Sequence, residues 1–182
     1  MVSDRMAAVL ALLDETGANG TDGLSDLAAA AACDALGVDG ISAGVGTGPE
    51  GTALAWSGEA VSTALEDIQF TLGEGPGLGA VAAGVPVLIT DLHAAQRRRP
   101  AFAPAAMNLG VRAVFAFPLR IGVISVGVLM AQRGTPGPLS GEQFTDALAL
   151  SDTVTIALLD RQSTDDAADV VARDLRFGET NL

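Results

Sequence analysis

FTLGEGPGLGAVAAGVPVLITDLHAAQRRRPAFAPAAMNLGVRAVFAFPLR, residues 70–120, holds a glycine-dense loop, a short apolar strand ending at Asp91, a Pro-flanked helix and a strand closing on Pro118. Within it, Val85–Thr90 is a continuous apolar run and predicts a buried strand. Ala101–Leu109 predicts a short helix that Gly110 stops. Val111–Arg120 then pairs with Val123–Gln132 as a long hairpin. Ala113–Ala131 is apolar over about the length of a membrane span, but Pro118, Arg120 and Gly122 interrupt it and Val and Ile are frequent. Two strands joined by a tight turn explain it better.

Downstream, Gly134–Pro138 is a Pro/Gly exit, and Ser140 with Gln143 forms a capping box that opens a long helix. Phe144, Leu148, Ser151, Val154 and Leu158 make one stripe on it. Ala147, Leu150, Ile156, Ala157 and Leu159 spread apolar character further than one core contact needs. From Asp165 the chain turns acidic yet stays helix-compatible to Arg176, with Gly178 as a stop. Upstream, Met6, Val9, Leu10 and Leu13 place a helix over Ser3–Thr16, ended by Gly17 and Gly20. Ser25 and Asp26 begin a second, Ala-rich helix, Leu24–Leu36, with Gly37 as its stop. Val38–Gly46 and Thr52–Ser57 read as a hairpin turning at Gly46, Gly48, Pro49 and Gly51. Glu59–Gln69 reads as an amphipathic helix with Val61, Leu65 and Ile68 on its apolar face.

The 182 residues, 49% of them apolar, suit one domain with a real core. Twenty-two acidic residues stand against 10 basic ones, all Arg, for a net charge of −12. That balance repels a phosphate backbone and disfavours nucleic acid as a partner. Without Lys, a P-loop is excluded. The single Cys33 makes no intramolecular disulfide, and MVSDRM lacks the basic start and apolar core of a signal peptide, so a cytoplasmic protein without a membrane partner is expected.

Two short patterns match catalytic or cofactor motifs without the flanks those motifs need. Gly75-Pro-Gly-Leu-Gly-Ala80 fits the dinucleotide fingerprint, but only Leu78–Ala83 precedes Gly84 and the next strand, too short for a parallel crossover. A tight loop whose glycines permit positive φ is the simpler reading. Gly40-Ile-Ser-Ala-Gly44 fits the nucleophile elbow, yet a strand and a turn follow Ser42 instead of a helix. His93 is the only His, which excludes two-His metal sites. Cys33, in an Ala-rich helix, reads as a small buried hydrophobe. Arg97-Arg98-Arg99 is the one basic cluster. It reads as a solvated loop, with an anion or acidic-partner contact as the alternative. No acid, base and nucleophile converge, so no catalysis and no metal are expected.

The element order over Leu24–Gln162 resembles the GAF fold, most specifically through LGEGP (Leu72–Pro76), the Pro86–Leu92 strand and AFPL (Ala116–Leu119). The likeness is greatest to GAF modules that precede the RNA-binding ANTAR domain in bacterial antitermination regulators. The resemblance implies an α/β (α+β) fold with an antiparallel sheet of five or six strands. Terminal helices take one face, and Phe70–Leu109 covers the other, where small ligands bind. Residues 1–20 are expected as an N-terminal dimerisation helix, 21–162 as the GAF-like domain and 163–182 as an acidic tail. The tail is shorter than an ANTAR bundle, so output is expected through a dimer or a partner protein. Some GAF domains bind haem through one His, which His93 keeps open. GAF-type methionine sulfoxide reductases use more than one Cys, and bilin attachment needs a Cys that Phe70–Arg120 lacks. Relatives carry a Cys where Gly77 stands and an aromatic where Arg99 stands, so no particular ligand carries over.

A non-catalytic sensory or regulatory domain is therefore expected, binding an unidentified small molecule. Its lining is expected from Phe70, Leu72, Glu74, Asp91, Phe102, Phe115 and Phe117. The alternative is a pure interaction module whose pocket is filled by its own side chains. A homodimer through Ser3–Thr16 and Ser140–Gln162 is expected, with Leu150 and Ile156 on the second stripe. Intrachain burial by the first helix or the tail is the competing arrangement.

Overall fold

The computed structural model describes residues 1–18, 26–46, 52–57 and 59–178. In chain order these form α1 (Asp4–Ala18), α2 (Asp26–Leu36), β1 (Gly40–Gly46), β2 (Thr52–Ser57), α3 (Ala60–Leu72) and α4 (Pro76–Ala83). Then follow β3 (Val87–Ile89), α5 (Phe102–Asn108), β4 (Ala113–Ile121), β5 (Ile124–Arg133) and α6 (Gly141–Gly178). The strands make one antiparallel sheet in the order β2-β1-β5-β4-β3. The expected helix stop at Gly20, the hairpin turn at Gly48, Pro49 and Gly51, and the helix start at Ser25 lie outside the described residues.

Alternation along β4 divides the core in two. Ala113, Phe115, Phe117 and Leu119 face α1, α2 and α6, where they meet Met6, Val9, Ala32, Leu36, Leu150 and Val154. Val114 and Ala116 face the other way, with Val128 and Met130 of β5, and pack under Leu65, Ala80, Leu92 and Phe102. The terminal helices thus take one face of the sheet and the segment from α3 to α5 the other, as expected. Phe117 meets the Phe144 ring of α6 with centroids 5.9 Å apart. At the start of α1, the Ser3 N–H donates to Asp146 Oδ1 at 2.8 Å and its hydroxyl to Oδ2, which ties the N-terminus to a buried carboxylate on α6.

Three local expectations are corrected. The glycine-dense loop is a helix, α4. Pro76 takes its first position, and the chain turns left-handed only at Gly73 before it (φ 62°) and at Gly84 after it (φ 68°). The buried strand at Val85–Thr90 is the three-residue edge strand β3. Only Ile89 is buried there, Val85 and Leu88 are exposed, and among the described residues no strand pairs with its outer edge. On α6, Leu150 is fully buried beneath the sheet and α1, whereas Ile156 is 62% exposed, so the two do not share one free stripe. α6 runs without a break across Gln162 to Gly178. No helix among the described residues is long and apolar enough to cross a membrane.

Candidate functional site

Polar side chains converge where α3 lies over β1 and β5. Glu59 caps α3 with both carboxylate oxygens: Oε1 accepts from Ser62 N–H at 2.8 Å and Oε2 from Val61 N–H at 3.1 Å. The Ser62 hydroxyl also donates to Oε1, and Gln132 Nε2 of β5 donates to it at 3.3 Å. Gly40 pairs with Gln132 across the sheet, and a Cβ there would fall on Glu59 Oε1 and Gln132 Nε2. One turn further along α3, Glu66 is buried and accepts from the Ser42 hydroxyl of β1 at 3.3 Å. Burial pushes its pKa up. The Ser42 hydrogen bond opposes that, and the nearby charge of Asp67 adds to it.

Gln69 completes the row. Its Oε1 accepts from Gly77 N–H at 2.8 Å, and its Nε2 lies 2.9 Å from Met130 Sδ. A Cβ on Gly77 would come within 2.9 Å of Met130 Sδ and 3.0 Å of Gln69 Oε1, and one on Gly75 would overlap the same side chain. Those two glycines are therefore needed for close approach, not for a left-handed backbone. With Gly77 N–H given to Gln69 and Pro76 carrying no N–H, the first turn of α4 offers fewer donors than a pyrophosphate site uses.

The expected lining residues do not come together. Phe115 and Phe117 share a face, but it is the face turned to the terminal helices, where Arg133 sits over the Phe115 ring at 5.1 Å. Phe102 is fully buried in the core on the opposite side. Phe70 is 73% exposed and Leu72 is also exposed, because α3 extends past Gln69 and turns them to its outer side. Glu74, between α3 and α4, holds a buried Oε1 without a hydrogen-bond partner among the described residues. Asp91 Oδ1 accepts from His93 N–H at 2.9 Å and caps the turn that follows β3. The site residues that sequence reasoning missed are Ser62, Glu66 and Gln69. Their signal was a polar stripe at helical spacing flanking Leu65, hidden beside the apolar Val61 and Ile68.

Gly40–Gly44 lies within β1, so Ser42 sits mid-strand with its hydroxyl given to Glu66, while His93 is exposed on the 92–98 turn. Cys33 borders a cavity of about 400 Å³ between α2 and the start of β1, together with Asp26, Asp34, Asp39 and Glu59. Burial first, then the charges of Glu59, Asp34 and Asp39, push the thiol up to about 11. Among the described residues no group of His, Cys, Asp and Glu is placed to hold a metal ion.

No protein-family model matches the chain, and no curated protein matches it. Solved structures do. The GAF domain of a phosphoenolpyruvate-protein phosphotransferase from Acinetobacter superposes with a TM-score of 0.67 at 14% identity, over 91% of this chain and 99% of that one. The phycoerythrobilin-bound GAF domain of a cyanobacterial phytochrome gives 0.63 at 13% identity, over 90% and 100%. Free methionine-R-sulfoxide reductase from Neisseria meningitidis, in complex with its substrate, gives 0.56 at 18% identity, over 90% and 96%. The chain has the GAF fold, and at these identities the likeness speaks for the fold alone.

Proposed function

We propose that this is a regulatory GAF domain that passes its signal through a twofold pairing of α6 with a second copy. The observation that carries this reading is the length and exposure of α6. It spans 38 residues, and from Asp166 to Arg176 every residue is exposed, including Val170, Val171 and Leu175. A helical stretch with nothing packed on it is marginal in water when it is shorter than about 12–15 residues, as this exposed segment is. Ala168, Val171 and Leu175 recur at helical spacing and offer a narrow seam to an identical helix. α1 already covers the other part of α6, which leaves Ile156 and the distal half for a partner. The resemblance of LGEGP and AFPL to GAF modules of antitermination regulators supports a regulatory setting.

A second reading, small-molecule sensing, is supported by the buried row of Glu66, Ser42 and Gln69 on the α3 side of the sheet. In this conformation Gln69 fills that space itself, which favours signalling through protein contacts. Light scattering tests the first reading. The expected result is a dimer mass at micromolar concentration and a monomer for Val171→Asp/Leu175→Asp with the core still folded. A wild type that stays monomeric at high micromolar concentration would refute the pairing.

A further inference from the structure

Charge is segregated along this chain. No Asp or Glu occurs between Leu92 and Gly141, a stretch carrying six of the ten arginines, so it holds +6 against −18 for the remainder. Three of those arginines are committed to the fold. Arg112 donates to the Met107 and Val111 carbonyls, Arg120 to Gly84, and Arg133 to Gly37, Gly137 and Pro138. Arg97, Arg98 and Arg99 differ: their guanidinium groups have neither an acceptor nor an ion pair among the described residues.

The turn that bears them is nevertheless well held. Leu92 is fully buried and its N–H donates to Arg112 O at 2.8 Å. Asp91 caps the turn, Arg98 and Arg99 N–H both reach Ala95 O, and Gly137 N–H donates to Thr90 O at 2.7 Å. A fixed backbone lowers the ordering cost of any contact its side chains make. Three adjacent guanidinium groups offer forked donors that match carboxylates.

We propose that the turn from Asp91 to Arg99 is a docking site for a short acidic segment of a partner protein. A long polyanion fits less well, since beyond the turn it meets a surface of strongly negative total charge. The site adjoins the linker into α6 through the Thr90–Gly137 bond but is independent of the proposed pairing.

The test titrates full-length protein into a fluorescein-labelled hexaglutamate peptide, and separately into a labelled single-stranded 20-nucleotide DNA, reading anisotropy. The expected result is saturable peptide binding at 20 mM NaCl, at least fivefold weaker at 200 mM. In Arg97→Ala/Arg98→Ala/Arg99→Ala it falls at least tenfold with an unchanged melting curve, and in the distant control Arg5→Ala it is retained. Absence of saturable peptide binding, equal binding by the triple variant, or DNA bound as tightly as the peptide through the same arginines would overturn the proposal.

Discussion

Gln69 and Glu66 sit three residues apart on α3, yet burial acts on them differently. Gln69 is neutral and has a partner at both ends of its amide, so burying it carries no charge into the core. Glu66 is ionisable and meets only a long hydrogen bond from Ser42. Its raised pKa means that the folded chain binds a proton more readily than the unfolded one. The contribution of Glu66 is therefore fully present below the ordinary glutamate range and is lost as pH rises through its folded value. Glu66→Gln keeps an acceptor for the Ser42 hydroxyl and removes the ionisation. Urea unfolding of both proteins between pH 4.5 and pH 8 is expected to show a gap that widens in favour of the variant as pH rises. A gap that is flat with pH, or widens toward acid, would assign the buried carboxyl to its charged form.

At the scale of elements, the parts with a strong period or an explicit cap were legible. The hairpin of β4 and β5 followed from two apolar runs around Gly122, which turns left-handed at φ 59°. The capping box is formed as expected: Ser140 N–H donates to Gln143 Oε1 at 2.9 Å, and Gln143 N–H to Ser140 Oγ at 3.1 Å. Ser140→Ala removes one of these reciprocal bonds from a helix that packs on the sheet. A loss of about 1 kcal/mol of stability is expected, measured by denaturant midpoint at unchanged slope. What was not legible depended on neighbours distant in sequence. Gly77 and Gly79 carry a poor helix propensity, and tertiary packing against Gln69 and β3 overrides it. β3 looked like a buried strand because an apolar run does not say whether both of its edges are paired. Phe115 and Phe117 were placed correctly on one face, but a period of two cannot say which layer that face meets.

At the scale of the whole molecule, net charge sets the response to salt. A charge of −12 on 182 residues creates self-repulsion that is relieved on unfolding, when the acidic groups move apart. Stabilising ion pairs would have the opposite dependence, since screening weakens attraction as well as repulsion. Here Arg112, Arg120 and Arg133 give their donors to backbone carbonyls, and Arg97, Arg98 and Arg99 give theirs to no acid of the described chain. With a net charge of −12 and these six arginines turned to backbone or solvent, repulsion is expected to be the larger of the two terms. Raising NaCl from 20 to 500 mM at pH 7.5 shortens the screening length from more than 20 Å to below 5 Å, roughly. A gain of about 1–2 kcal/mol is expected, which moves Tm upward by roughly 2–4 °C per kcal/mol for a chain of this size. Calorimetry at fixed protein concentration checks this, because pairing through α6 would itself make Tm concentration-dependent. Choline chloride should reproduce the rise, since screening does not depend on the identity of the cation. A rise with NaCl that choline chloride fails to give would point instead to sodium held at the acidic surface. A fall in Tm with either salt would show that attractive charge pairs outweigh the repulsion.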